Sequence, residues 1–436
     1  MLHILLMILL LECLFILTIA ARKPVQMLEF PFLAAAVYVG YLMPQLFGVR
    51  NLIYLPEGGL ETTILMAILC LAAVWVGFRV GLKRPASIFS WRFRRQRLVA
   101  ASIVLSVLGA FFFFKISEMA PDVQVRSGGQ WTGIITIYVL FSKMLTVGLA
   151  LAILLIMDRF SPVLLSVLLF DLAFYVDRIV IQGRRAAMAE LALMVLMAVW
   201  FRRRVAPPRW VMFSLIVVGT LVINSIGDYR RLMMNENMEW SGASIEDIFQ
   251  IDFVGNLSGL LKGERQSYDV LNAIYRIEAA ERLNEFDYGL VHWNDLVRTF
   301  VPGQWVGYDI KDSLMMDGEG PEYLAFGYIP RTGTTYGGIS DSFVSFWFFG
   351  FIKFFLVAMV MGKLYISGMR GDIAAQWITV LLITPALHII THGTGFFIIN
   401  GIYYMAFLIP VLYWSRVIQN TSVFANRNYL SRAPRI

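Results

Sequence analysis

Eleven apolar blocks, each close to the length of a membrane span, constrain this chain more than any other feature. Read with a window of about 19 residues, they lie near 1–20, 30–48, 60–78, 98–116, 132–157, 160–182, 185–201, 210–227, 341–365, 374–392 and 396–415. A helix needs about 20 apolar residues to cross a hydrocarbon core roughly 30 Å thick. Lipid offers no partner to a free N–H or C=O, so such blocks fold as helices. Composition agrees: of 436 residues, 58% are hydrophobic and 15% charged, whereas soluble domains are about half apolar and a quarter charged. This excludes an ordinary soluble enzyme and a disordered chain alike. The expected fold is therefore all-α, a polytopic membrane helix bundle of about eleven transmembrane helices.

Lys and Arg set the expected orientation. They crowd into the turn after the third span (Arg79, Lys83, Arg84, Arg92, Arg94, Arg95, Arg97), the turn after the seventh (Arg202, Arg203, Arg204, Arg209) and the tail 416–436 (Arg416, Arg427, Arg432, Arg435). With eleven spans all three fall on one side, which the positive-inside bias makes the cytoplasm. The N-terminus is then expected outside and the C-terminus inside. Residues 1–20 lack the leading Lys or Arg of a signal peptide, and Arg22 and Lys23 follow the apolar run instead, so they are expected to remain as a span. The net charge of +7 follows this distribution and indicates no nucleic-acid partner. Cys13 and Cys70 both sit in apolar stretches and form no metal or disulfide pattern.

Four parts follow: spans one to eight in 1–227, an insert at 228–340, spans nine to eleven in 341–415, and a basic tail at 416–436. The insert holds 18 of the 30 acidic residues and 9 of the 37 basic ones, a local net charge of −9. It is too long for a structureless connection and reads as short helices. Ser244-Ile-Glu-Asp247 resembles a capping box before IFQIDFVGNLSGLL. QSYDVLNAIYRIEAAERL places Val270, Leu271, Ile274 and Ile277 at helical spacing. LVHWNDLVRTF is amphipathic and stops at Pro302-Gly303. Amphipathic helices outside a membrane bundle are expected to lie on the bilayer surface.

Charges within or at the edge of a span are costly, which makes them functional candidates. Asp171, Asp177, Arg178, Arg184, Arg185 and Glu190 form the densest group. Arg184 and Arg185 stand at the outer end of spans six and seven, where Lys and Arg are otherwise scarce. Headgroup contact or pairing with Asp177 is the structural reading, anion binding the functional one. Arg230 and Arg231 emerge from span eight, and Arg331 precedes span nine in IPRTGTTYGGISDSF. Guanidinium matches phosphate with paired, charge-assisted hydrogen bonds, so these five arginines are candidate pyrophosphate ligands. The small-residue loop around Arg331 brings backbone N–H groups toward a helix start, without any nucleotide-binding spacing. Asp341, His392 and Glu322 are candidate bases for an acceptor hydroxyl. Asp341 also suits the N-terminus of span nine as helix-end stabilisation. His388 and His392 lie one turn apart but lack a third ligand, so no metal is expected.

The layout resembles the bacterial O-antigen polymerases, the family of oligosaccharide repeat-unit polymerases. The likeness lies in ten or more spans, the Gly183-Arg184-Arg185 turn opening a span, one large late loop, and TYGGISDSFVSFWFFGFIKF running into an aromatic span. FDYGLVHWNDLVRTFVPGQWVGYD also looks like the family's loop region, and Arg231 and Gly242 have its Arg-to-Gly spacing. No equivalent spacing follows Arg331. The resemblance implies a C-type glycosyltransferase-like fold and polymerisation of undecaprenyl-pyrophosphate-linked repeat units at the outer face of the inner membrane. It implies no cofactor, with membrane lipid, a chain-length regulator and a repeat-unit flippase as partners. An O-antigen ligase shares the layout and the leaving group. A lipid-linked oligosaccharide transporter is the rival from another class, but no internal repeat marks two corresponding halves.

Overall fold

The computed structural model describes residues 1–52, 54–56, 58–83, 91–119, 126–127, 130–131, 134–181, 184–233, 250–264, 268–316, 326–330 and 334–417. Among these the chain is all-α apart from a two-residue antiparallel pairing, Arg126–Ser127 with Gln130–Trp131, and an isolated antiparallel bridge between Phe93 and Arg416. Helices α1 (Leu2–Arg22), α2 (Phe30–Val37), α3 (Met43–Val49), α4 (Gly59–Leu82), α5 (Arg95–Ser117), α6 (Ile134–Asp158), α7 (Pro162–Val176), α8 (Arg185–Arg203) and α9 (Arg209–Met233) precede the insert. The insert carries α10 (Phe253–Lys262), α11 (Asp269–Leu283), α12 (Leu290–Phe300), α13 (Gly303–Val306) and α14 (Tyr308–Ser313). Helices α15 (Gly337–Phe346), α16 (Phe351–Met369), α17 (Ile373–Thr391) and α18 (Gly395–Ser415) follow.

Every expected apolar block falls on helix. Eight segments among the described residues are long and apolar enough to cross a membrane: α1, Phe30–Val49, α4, α5, α6, Gly337–Met369, α17 and α18. Expected spans six, seven and eight correspond to α7 with its π-helical continuation Asp177–Ile181, to α8 and to α9. The chain is thus a multi-pass membrane protein by architecture.

Small residues let the helices approach closely, as lipid-embedded packing favours. A Cβ on Gly77 would stand 2.3 Å from the Phe355 carbonyl oxygen, and one on Gly362 2.5 Å from that of Phe78, which fixes α4 against α16. At Gly109 the same atom would lie 2.2 Å from the Leu145 nitrogen, locking α5 to α6. Helix α17 runs through the middle of the bundle, and Trp377 within it is fully buried.

Basic residues gather at one end of the bundle. There the Arg209 guanidinium donates to the Arg22 carbonyl (3.1 Å), that of Arg95 to the Arg159 carbonyl (2.6 Å) and that of Arg97 to the Trp414 carbonyl (2.6 Å). Arg204 reaches the Met369 carbonyl at 2.5 Å. The insert helices cap the opposite end. Helix α10 sits on α3, where a Cβ on Gly48 would meet the Leu260 oxygen at 1.9 Å. Helix α11 sits over the start of α4 and on α2–α3: Tyr41 donates to Asp269 (2.6 Å), and Gln45 accepts from the Val270 N–H (3.1 Å).

Two local expectations need revision. The capping box at Ser244–Asp247 lies outside the described residues, and the helix after it begins only at Phe253. Asp252 caps it, accepting from the Gly255 N–H at 2.7 Å. Span nine is not one helix from 341. It starts at Gly337 and breaks after Phe346 into a 3-10 turn, Trp347–Gly350, with Trp347 at φ 50°. A φ of that sign is uncommon for a side chain of this size. A Cβ on Gly350 would stand 1.8 Å from the Ser342 oxygen, so the turn folds back tightly on α15.

Candidate functional site

The break in span nine brings four polar side chains together under the insert. Asp341, the fifth residue of α15 and 5% exposed, accepts at Oδ2 from the Thr394 N–H (2.9 Å) and the Thr394 hydroxyl (2.5 Å). Lys353, in the first turn of α16, places Nζ 3.7 Å from that same oxygen. It also donates to the Ser345 hydroxyl (2.6 Å) and to the Asp341 carbonyl (3.3 Å), bridging the broken ends. His292, in the first turn of α12, puts Nε2 2.6 Å from Lys353 Nζ, 3.2 Å from the Thr394 hydroxyl and 3.5 Å from Asp341 Oδ1.

These contacts assign the imidazole tautomer. The Thr394 proton is committed to Asp341, so the ammonium of Lys353 is the donor to Nε2. Nε2 therefore accepts, and the ring proton of neutral His292 sits on Nδ1. Nδ1 is buried and has no hydrogen-bond partner among the described residues. It faces the start of α18, where a Cβ on Gly395 would lie 2.9 Å away. Burial is the main influence on His292 and lowers its pKa from the usual imidazole value of 6.5, partly opposed by Asp341. Asp295, one turn further along α12, is shifted upward, chiefly by burial. A buried donor without an acceptor, beside an ammonium and a carboxylate, is an arrangement able to exchange a proton with a bound group.

Arg276 of α11 stands in the electrostatic surroundings of Asp341, Lys353 and Asp295. It is 8% exposed and rests over the Tyr336 ring, 5.1 Å from its centroid. Among the described residues its guanidinium meets no hydrogen-bond acceptor. Tyr336 is the residue just before α15, so this cation lies by the N-terminus of the helix that carries Asp341.

Of the sequence candidates, Asp341 is central to the cluster, within α15 rather than at its tip. His392 is exposed at the end of α17; its ring packs on His388 (centroids 4.7 Å apart) and Phe396 (5.3 Å), and Nδ1 meets the Thr391 hydroxyl at 2.7 Å. It touches none of the four clustered side chains. Arg184 is exposed just before α8 and belongs to the electrostatic surroundings of Lys143 with Arg178. Arg185 opens α8, and Arg230 and Arg231 lie in the last turn of α9, but their side chains are outside the described residues. Glu322, Arg331, Gly183 and Gly242 also fall outside them. Among the described residues no three His, Cys, Asp or Glu side chains converge as a metal set.

Three further charged groups inside spans meet side chains of neighbouring helices. Asp171 accepts from Ser106 at 2.7 Å. Glu190 accepts from Tyr175 (2.9 Å) and Tyr404 (3.2 Å), and Arg178 lies over the Phe113 and Tyr175 rings. This geometry accounts for these three as packing between helices, whereas Glu12, inside α1, has a buried carboxylate oxygen with no hydrogen-bond partner among the described residues.

His292, Lys353, Thr394 and Arg276 were not singled out by residue pattern. Lys353 carried a usable signal, a lone charge inside the apolar run FWFFGFIKFF. His292 had none, since one histidine on an amphipathic helix has no spacing to read. No family model matches the chain, and neither the curated proteins nor the solved structures contain a match to it. What the fold and the cluster define is a multi-pass α-helical membrane protein with a polar site between a broken span and the helical insert.

Proposed function

We propose that this protein is a glycosyltransferase that polymerises undecaprenyl-pyrophosphate-linked repeat units into a surface polysaccharide, at the outer face of the bacterial inner membrane. The observation that carries the reading is the cluster of His292, Lys353, Asp341 and Thr394, with Arg276 close by, at the end of the bundle that the insert covers. A lipid-linked donor brings its pyrophosphate to the level where spans emerge, and glycosyl transfer leaves growing negative charge on that group. Preorganised cations stabilise such charge best in a site shielded from water. Lys353 and Arg276 are cations there among the described residues, with Arg184, Arg185, Arg230, Arg231 and Arg331, the arginines named from the sequence, as further ligands. Asp341 serves as the counter-charge that fixes Lys353 and, through Thr394, holds α18 to α15. His292 presents its Nδ1–H to an oxygen of the leaving pyrophosphate, and the proton of the acceptor hydroxyl passes to that leaving group or to one of the bases named from the sequence, Asp341, His392 or Glu322. No step in this scheme calls for a nucleotide or a metal ion.

Purified protein in liposomes, given only lipid-linked repeat units, is expected to yield a ladder of polymers with chelator present. His292→Gln and Arg276→Lys are expected to reduce the rate without loss of protein. One charge-assisted hydrogen bond is worth roughly 1.5–3 kcal/mol, so Arg276→Lys is expected to slow transfer about ten- to a hundredfold. Arg→Lys at these five arginines is expected to recover little, because Lys lacks the planar fork. Transfer of single units to a lipid A core would make the protein a ligase. Movement of intact lipid-linked units without bond formation would make it a transporter.

A further inference from the structure

We propose that residues 290–316 form a re-entrant hairpin whose tip inserts into the lipid hydrocarbon beside α18, so that the insert is anchored within the bilayer instead of lying on it. Two contacts fix the depth. At its start α12 touches the beginning of α18, with His292 against Thr394 and Gly395. At its end the Phe300 ring packs on Tyr403, with centroids 5.0 Å apart. Phe300 is eight residues beyond His292, and Tyr403 is eight beyond Gly395. At 1.5 Å per residue each helix has advanced about 12 Å. The two therefore run side by side in the same direction. Since α18 has 21 residues, just enough for a hydrocarbon core of about 30 Å, Phe300 lies well below the level of the polar cluster.

The chain then turns and climbs back along α12. The Lys311 ammonium donates to the Arg298 carbonyl (2.8 Å), the Trp293 indole to the Leu314 carbonyl (2.8 Å), and Asn294 exchanges two 2.9 Å bonds with the Met316 backbone. Backbone in lipid must be satisfied internally, and a hydrogen-bonded hairpin of this kind meets much of that demand. From Val301 to Tyr308 the tip carries no charge. Trp305 is 76% exposed, and Tyr308, Val306 and Ile310 are exposed beside it. An exposed apolar cluster continuous with the flank of a membrane helix fits hydrocarbon chains as its partner. Of the charges that flank the tip, Arg298 lies 3.9 Å from Asp295, one turn nearer the polar cluster, and Lys311 is held by the Arg298 carbonyl.

The test uses the full chain in liposomes, with Cys13→Ala and Cys70→Ala as background. A nitroxide is attached at Trp305→Cys or, in a second protein, at Tyr308→Cys, and its collisions with oxygen and with a water-soluble nickel chelate are compared. Leu14→Cys on the exposed face of α1 and Lys262→Cys in the insert are the lipid and water references. The expected result is that both tip positions favour oxygen, as Leu14→Cys does. If both favour the nickel chelate, as Lys262→Cys does, the hairpin lies in water and the proposal is overturned. The second tip position keeps the test decisive if one variant fails to fold. Neither outcome depends on glycosyl transfer.

Discussion

Asp341 and Lys353 form a buried pair whose loss is measurable without any substrate. Their side chains are 7% and 13% exposed and 3.7 Å apart. Asp341→Asn keeps an oxygen for both Thr394 bonds but leaves Lys353 with a buried, unbalanced charge. Lys353→Met leaves Asp341 in the same condition and also frees the Ser345 hydroxyl and Asp341 carbonyl that Lys353 bridges. Breaking one side of a buried pair costs about 3–5 kcal/mol, whereas replacing both sides is often near neutral. The double variant is therefore expected to be more stable than either single one, with a coupling energy of at least about 2 kcal/mol, inside the range seen for residues in contact. Unfolding in detergent, followed by loss of helix across the four proteins of the cycle, measures it. Single-variant losses that simply add, within about 0.5 kcal/mol, would refute the reasoning. They would mean that each charge is solvated independently and that the broken span is not held by this pair.

Three more expectations concern protonation, topology and packing. His292 has its pKa lowered from 6.5 by burial, so the unfolded chain binds its proton first as pH falls. Its contribution to stability is full above about 6.5 and is lost as pH drops through the lower folded value. Polymer formation is expected to hold from pH 8 to 6.5 and decline below, and titration of stability in His292→Gln should lack that step. Reporter fusions after Arg95 and Arg204 are expected to read cytoplasmic and one near Lys262 external; a cytoplasmic signal at Lys262 would overturn the orientation. Gly338→Ala would set a Cβ 1.6 Å from the Ile389 oxygen, while Gly219→Ala meets nothing within 4 Å. Membrane abundance is expected to collapse in the first and stay near wild type in the second, since overpacking of this kind costs about 1–3 kcal/mol or more.

The sequence by itself determined membrane residence, because long apolar blocks have one way to satisfy their backbone in lipid. It also determined the insert helices that carry both a period and a stop. Helix α12 spans Leu290–Phe300 as its amphipathic pattern required, opened by Gly289 at φ 86° and ended before Pro302. The gathering of Arg22, Arg95, Arg97, Arg204 and Arg209 at one end of the bundle was likewise legible, because each follows or precedes a span by count alone. What only the tertiary structure decided is the meeting of His292, Asp341, Lys353 and Thr394. His292 and Thr394 are 102 positions apart, and no local period ties a residue on an insert helix to the turn between two distant spans. The break in span nine was hidden for a related reason. Trp347-Phe348-Phe349-Gly350 is as apolar as the helices around it, so hydropathy runs through it unchanged. The chain turns there because Gly350 permits a close return onto Ser342 and Lys353 reaches back to α15, contacts that exist only once the helices have packed.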